Sequence, residues 1–444
     1  MKITYITAGA GGMYCGTCIR DNALATALLD AGHDITLVPT YTPLTTDESN
    51  VCQKRVFFGG ISIYLEQYMP LFRKTPWLVD RLWEAPWLLR VASGRGIQTS
   101  PRLLGGITVS ILKGENGFQQ KEFSKLLHWL NSQPRPDVID ISNSLLISLA
   151  RPLKEVLDCP VCCTLQGEDI FISGLPEPYR STALELIRGH VGSVDSFLAV
   201  SEYYADHMTN YLNIPKEKIS VAPLGITLTG FEELRNSLPG SFAVGFFGRV
   251  APEKGLHLLC EAYRRLRQTG QLNNCCLKIA GYLAPEHEGY LEAILDQIRE
   301  WGLEQEVCYQ GVLDRQGKIE FLRSLDVLAV PAVYDDPKGL TLIEAMACGV
   351  PVVVSNRGTP VELIRKTGGG LLVEPNVIES LASGLLRIYT EPEFARDLGQ
   401  RGYDGVRKYY SSVAMANRAL AVYAGLVALR SDCAPGHGSQ KRKS

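Results

Sequence analysis

The sequence predicts an α/β protein built as two doubly wound, Rossmann-like halves that face each other across a cleft. Three observations carry this. The chain has 444 residues, too many for one ordinary core and suited to two domains of about 200 residues each. Short apolar runs alternate with segments of helical spacing, the pattern of β-α units around a parallel sheet covered on both faces. Glycine-bearing turns follow the first apolar run of each half, at the strand ends where open α/β sheets bind ligands.

In the first half, residues 3–7, 35–38, 108–112, 138–141, 161–165 and 197–200 read as strands. The stretch AGAGGMYCGTCIRDN, residues 8–22, follows the first of them. Residues 42–105 fit no β-α unit and read as an insertion. In the second half, strands are expected at 243–247, 276–280, 307–310, 327–330 and 352–354. Between them, Leu256, Leu259, Tyr263 and Leu266 follow helical spacing, as do Leu291, Ile294, Ile298 and Trp301. The stretch TGFEELRNSLPGS ends in a Pro-Gly turn and divides residues 1–235 from residues 236–408. Residues 431–444 form a polar tail with no core to join.

A net charge of −2 argues against a nucleic-acid partner, which favours a basic surface. The first residues lack the apolar segment of a secretory signal, and no apolar stretch reaches the roughly 18 residues of a membrane span. A cytoplasmic protein is expected. Twelve cysteines are scattered, and Cys260, Cys275, Cys276, Cys308 and Cys348 sit in apolar segments as small core residues of a reducing compartment. Cys15 and Cys18 form a C-x-x-C pair without the second pair or histidines that a structural zinc wants. The cluster Cys159, Cys162 and Cys163 fits no zinc module and reads as a buried strand.

Two stretches carry chemistry. After residues 243–247 come Gly248, Arg249, Lys254 and Gly255, which put a guanidinium and an ammonium at the carboxyl end of a strand. Together they suit a diphosphate, with Arg gripping in bidentate fashion and Lys adding a point charge. The second stretch is DDPKGLTLIEAMACGVP, residues 335–351. Gly339 lets the backbone approach a ligand, and the helix after it points free N–H groups and its positive dipole end into the cleft. Asp336 and Glu344 flank that turn. Carboxylates repel phosphate, so their natural partners are ribose and sugar hydroxyls.

FFGRVAPEKGLHLL and DDPKGLTLIEAMACGVPVVVS resemble the retaining nucleotide-sugar glycosyltransferases of the GT-B fold, glycosyltransferase family four. The resemblance implies donor binding mainly to the second domain and acceptor binding to the first. It also implies a final helix, residues 409–430, returning to the first domain with Val413, Ala416, Leu420 and Tyr423 as its apolar face. By position, Arg249 and Lys254 match the family's diphosphate pair, Glu344 its ribose-binding glutamate, and Leu340 and Thr341 its backbone donors to phosphate. Asp336 stands where the first glutamate of Glu-x7-Glu contacts the transferred sugar, and Lys338 where an aromatic is common. Gly11 and Gly12 resemble the first glycine-rich loop, near diphosphate and acceptor. The NAD register Gly-x-Gly-x-x-Gly is missing. Gln166 stands where many relatives carry a histidine near the donor sugar. It can hydrogen-bond but cannot take a proton.

With no Asp-x-Asp triplet, the leaving charge falls to Arg249, Lys254 and the helix N-terminus, and no metal or cofactor is expected. The implied donor is a UDP-sugar, with GDP- or ADP-sugars as alternatives. The acceptor is a carbohydrate, a lipid-linked or a small molecule. Gln166 and Asp336 keep open a catalytically silent sugar-nucleotide binder, and a GT-B epimerase is a further alternative. Trp77, Trp83 and Trp87 lie among Arg73, Lys74, Arg81 and Arg90, so residues 69–95 are suited to peripheral contact at the inner membrane face. Flotation with anionic liposomes checks this contact: the full chain is expected to co-float, and its failure to do so would leave these tryptophans a packing role.

Overall fold

The computed structural model describes residues 1–9, 16–44, 46–53, 56–57, 59–69, 72–73, 101–235 and 240–433. Their strands form two parallel sheets of six. The first contains β1 (Lys2–Thr7), β2 (Asp34–Pro39), β3 (Val138–Ile141), β4 (Val161–Leu165), β5 (Ser196–Ala199) and β6 (Ile219–Val221), in the order β2-β1-β3-β4-β5-β6. The second contains β7 (Phe242–Phe247), β8 (Cys275–Ala280), β9 (Val307–Tyr309), β10 (Val327–Val330), β11 (Val352–Ser355) and β12 (Gly370–Val373), in the order β12-β11-β10-β7-β8-β9. Central strands β3, β4, β10 and β11 are buried at every residue, because helices cover both faces and leave no position for an outward polar side chain.

The strand order fixes where a ligand can enter. From β7 the chain winds outward through β8 and β9, then returns to the other side of β7 as β10. The loops leaving β7 and β10 therefore diverge and open a crevice at their carboxyl ends. In the first sheet the same reversal falls between β1 and β3.

Several sequence expectations change. Residues 108–112 close the Pro101–Leu112 helix and form no strand. Their β-branched residues favour a strand locally, but the helix crosses the Tyr179–His190 helix so closely that a Cβ on Gly105 would lie 2.6 Å from the Tyr179 ring. Thr108 Oγ1 bonds back to the Leu104 carbonyl at 2.8 Å, satisfying its hydroxyl within the helix. The departure from plain β-α units also runs past residue 105, since the Gln120–Asn131 helix too lies between β2 and β3. The sequence reading lacks β6 and β12; one is three half-buried residues and the other opens on glycine, so neither shows a strong apolar run. Cys308 is exposed on β9, an edge strand, and is no core residue. Most of residues 69–95, Cys15 and the tail from 434 lie outside the described residues.

The last helix, Ser412–Cys433, lays Met415, Ala416, Ala419 and Tyr423 against Cys18, Leu24 and Leu28 of the Gly16–Asp30 helix. Val413 points outward at 62% exposure, contrary to its expected place on the apolar face. By length and composition Ser412–Arg430 is apolar enough to cross a membrane, with a mean hydropathy of 1.5, so one stretch does reach that length. Its buried face covers the first half of the chain, and Tyr423 Oη donates to Asp140 Oδ2 on β3 at 2.5 Å.

Asp140 is wholly buried, and burial pushes its carboxyl up to about 6 against the hydrogen bonds from Tyr423 and Thr164. A carboxyl raised in the folded state binds its proton there more readily than in the unfolded chain. Its stabilising share is whole below the ordinary carboxylate pKa and is lost as pH rises toward 6. Urea unfolding across that window should show stability falling by about 3 kcal/mol from this group, a component that Asp140→Asn removes.

Candidate functional site

The crevice at the second sheet is a cavity of about 460 Å³ whose opposite wall comes from Gly16, Ile19, Asp47, Gly167 and Ile170 of the first half. Its base is the turn after β7. A Cβ on Gly281 would lie 1.8 Å from the Gly248 carbonyl oxygen, so the loops after β7 and β8 meet there only because Gly281 is glycine. Beyond Gly248, Arg249 pairs with Glu253 and stays half exposed. Lys254 turns inward and donates to Asp336 Oδ2 at 2.7 Å and Tyr334 Oη at 2.6 Å.

Asp336 also shapes the turn that follows β10. Its Oδ1 accepts from the N–H of Lys338 at 3.0 Å and of Gly339 at 3.4 Å. Gly339 takes φ 62°, and a Cβ there would meet Leu363 at 2.4 Å. The Leu340–Ala347 helix then starts with its first N–H groups unclaimed by the helical ladder, and both Leu340 and Thr341 line the cavity. Burial alone would raise the Asp336 carboxyl, but Lys254 and the two backbone donors hold it below its ordinary value. Burial would likewise lower Lys254, and Asp336 with Tyr334 raises it instead. The pair is a stable ion pair in this state.

Glu344, one turn further along the same helix, is 3% exposed and accepts from Lys318 Nζ at 2.5 Å. Lys318, from the Arg315–Arg323 helix, donates equally to Asp47 Oδ2 at 2.5 Å. Asp47 comes from the first half. Burial raises the Glu344 carboxyl despite Lys318, since one ammonium here compensates two carboxylates. Burial would lower Lys318, but those two carboxylates raise it.

Of the residues singled out in the sequence, Gly248, Arg249, Lys254, Asp336, Leu340, Thr341 and Glu344 line one cavity, and Gly339 sets its central turn. Gln166 lies beneath this wall rather than in it. It is 2% exposed, with Nε2 donating to the Ser142 carbonyl at 2.7 Å and to Asp21 at 3.2 Å. Asp21 in turn accepts from Tyr5 and Thr7 and pairs with buried Arg20. Glu168 accepts from the N–H groups of Ser144 after β3 and Gln166 after β4, while Asp169 holds Tyr204 and His207. Gly11 and Gly12 lie outside the described residues, though Gly16, just after them, borders the cavity. Sequence reasoning missed Asp47 and Lys318. They stand 271 positions apart, and no local pattern links them. Among the described residues, no group of three or more His, Cys, Asp or Glu is arranged to hold a metal ion.

Comparison with known proteins matches residues 233–405 to the glycosyl transferases group 1 model and residues 104–229 to the Glycosyltransferase Family 4 model. An uncharacterized glycosyltransferase of Methanocaldococcus jannaschii is 28% identical over 320 residues, 69% of this chain and 79% of that one. Two D-inositol 3-phosphate glycosyltransferases and a glycogen synthase align over 54% to 62% of their own length. Among solved structures, sucrose-phosphate synthase from Thermosynechococcus elongatus superposes with a TM-score of 0.69 at 18% identity, over 97% of this chain and 100% of that one. Anabaena HepE in complex with UDP superposes at 0.67 and 15% identity, over 96% and 100%. At these identities the likeness shows the fold, which is GT-B.

Replacing Lys318 by Met would strand Asp47 and Glu344, both 4% exposed at the side chain, without their cation. Chemical denaturation should show a loss of about 3–5 kcal/mol, partly recovered when Glu344→Gln removes one stranded charge.

Proposed function

We propose that this chain, which matches the glycosyl transferases group 1 model in its second half and the Glycosyltransferase Family 4 model in its first, moves a sugar from a nucleotide diphosphate to an acceptor with retention at the anomeric carbon. One observation carries the reading. At the switch point of the second sheet, two cations, a helix N-terminus and a buried glutamate share one cavity. Diphosphate needs the first three and a ribose diol the fourth.

Residues 236–408 bind the donor in this reading, residues 1–235 the acceptor, and 409–430 join the two. Arg249, Lys254 and the Leu340 and Thr341 N–H groups stabilise the departing diphosphate, which is the larger requirement when the leaving phosphate itself accepts the acceptor's proton. No metal or cofactor is needed for that charge balance, so transfer persists in EDTA. Asp336 reaches the transferred sugar once the diphosphate draws Lys254 away from it. UDP is the favoured nucleotide, in keeping with the UDP held by the similarly folded HepE. The acceptor is a carbohydrate, a lipid-linked or a small molecule, taken up in the cytoplasm or at the inner membrane face.

A catalytically silent binder is the second reading. It draws on Gln166, whose side-chain donor is already committed to Asp21 and Ser142. Product formation separates the two.

Calorimetry with UDP-, GDP- and ADP-sugars should give one tight donor. Arg249→Ala and Lys254→Ala should each weaken it roughly ten- to hundredfold, the loss of one charge-assisted contact, with the circular dichroism spectrum intact. NMR of the product should show the donor's anomeric configuration kept. Inverted product, or unchanged affinity in both variants, would refute the assignment.

A further inference from the structure

Among the described residues, four cationic side chains line the cavity, and three of them face carboxylates. Arg249 pairs with Glu253, Lys254 with Asp336, and Lys318 with Asp47 and Glu344. Lys338 differs. Its ammonium donates to the Thr17 hydroxyl at 2.7 Å, and among the described residues it makes no ion pair. A hydroxyl supplies a hydrogen bond but no counter-charge, and a half-buried ammonium keeps a net demand for one.

The direction of the side chain says where that demand lies. The stem passes between the two glycines of the opposite wall: a Cβ on Gly167 would lie 3.6 Å from Lys338 Cε, and one on Gly16 would lie 4.0 Å from Lys338 Cδ. Both belong to the first half, as does Thr17. The ammonium thus leaves the turn held by Asp336 and crosses the cleft, away from the sheet that carries Arg249 and Lys254. It ends on the opposite wall, which in the nucleotide-sugar reading faces the gap between donor and acceptor.

From this we infer that the working complex brings an anionic group, a carboxylate or a phosphate, to Lys338 on the transferred sugar or on the acceptor. Lys338 is then a specificity-determining residue that favours an acidic substrate over its neutral counterpart. The inference rests on the nucleotide-sugar reading above and names the chemistry of what that site takes besides the nucleotide.

Titration calorimetry on the full chain and its Lys338→Met variant tests it with defined probes. One arm compares UDP-glucuronate with UDP-glucose, placing the anion on the donor. A second compares glucose 6-phosphate with glucose, with and without UDP, placing it on the acceptor. UDP alone is the reference. In at least one arm the wild type should prefer the acidic probe by about tenfold or more, and Lys338→Met should lose that preference while binding UDP as before. No preference in either arm overturns the proposal, and so does a preference that survives in Lys338→Met. An equal loss of affinity for UDP itself would assign Lys338 to the diphosphate and also overturn it. Wild type that binds no UDP defeats the nucleotide-sugar reading; the glucose 6-phosphate arm without nucleotide then still decides Lys338.

Discussion

Every cation in a confined cleft needs a counter-charge, and this constraint organises the site. Desolvation makes an unpaired ammonium or carboxylate costly, and among the described residues Arg249, Lys254 and Lys318 each meet a carboxylate of the protein. Asp336 holds Lys254, and Glu344 shares Lys318 with Asp47. In the proposed reading a diphosphate takes Lys254 over from Asp336 and frees that carboxylate toward the sugar.

The same pairs tie the halves together. Asp47 and Glu48 reach from the first half to Lys318 and Arg315, and Arg315 also bonds the Thr227 and Thr229 carbonyls. On another side of the junction, Ser201 meets Thr359 at 2.7 Å and Glu362 accepts from the Glu202 N–H. The final helix adds Tyr423, whose hydroxyl ends on Asp140 under the first sheet. A ligand that alters the charge on Glu344 or Lys338 thus acts on contacts that cross between halves. The chemistry of the site and the spacing of its walls are coupled through a few side chains.

How much could be read in advance depended on whether the signal was local. The turn Asp336 to Thr341 and the Arg249–Lys254 turn were legible because each is a short stretch whose strand, glycine and helix start follow one another. Gln166 was legible as an unusual residue at a strand end but not as a buried one. Its neighbours Asp21 and Ser142 come from other elements, and they turn its amide inward. The helix at residues 101–112 was misread because β-branched side chains favour a strand locally, whereas its crossing with the Tyr179–His190 helix is a tertiary contact.

The sequence by itself determined the two-sheet α/β plan, because apolar periodicity follows from the need to bury strand faces and helix stripes. It likewise determined the two charged turns, since a glycine with positive φ and a helix start are properties of neighbouring residues. Tertiary structure alone decided the pairing. Nothing within a few residues of Lys318 announces Asp47, and nothing beside Lys338 announces Thr17, 321 positions away. Charge compensation acts through space, and only the folded chain sets which groups share a desolvated volume and which cation meets a hydroxyl in place of a carboxylate.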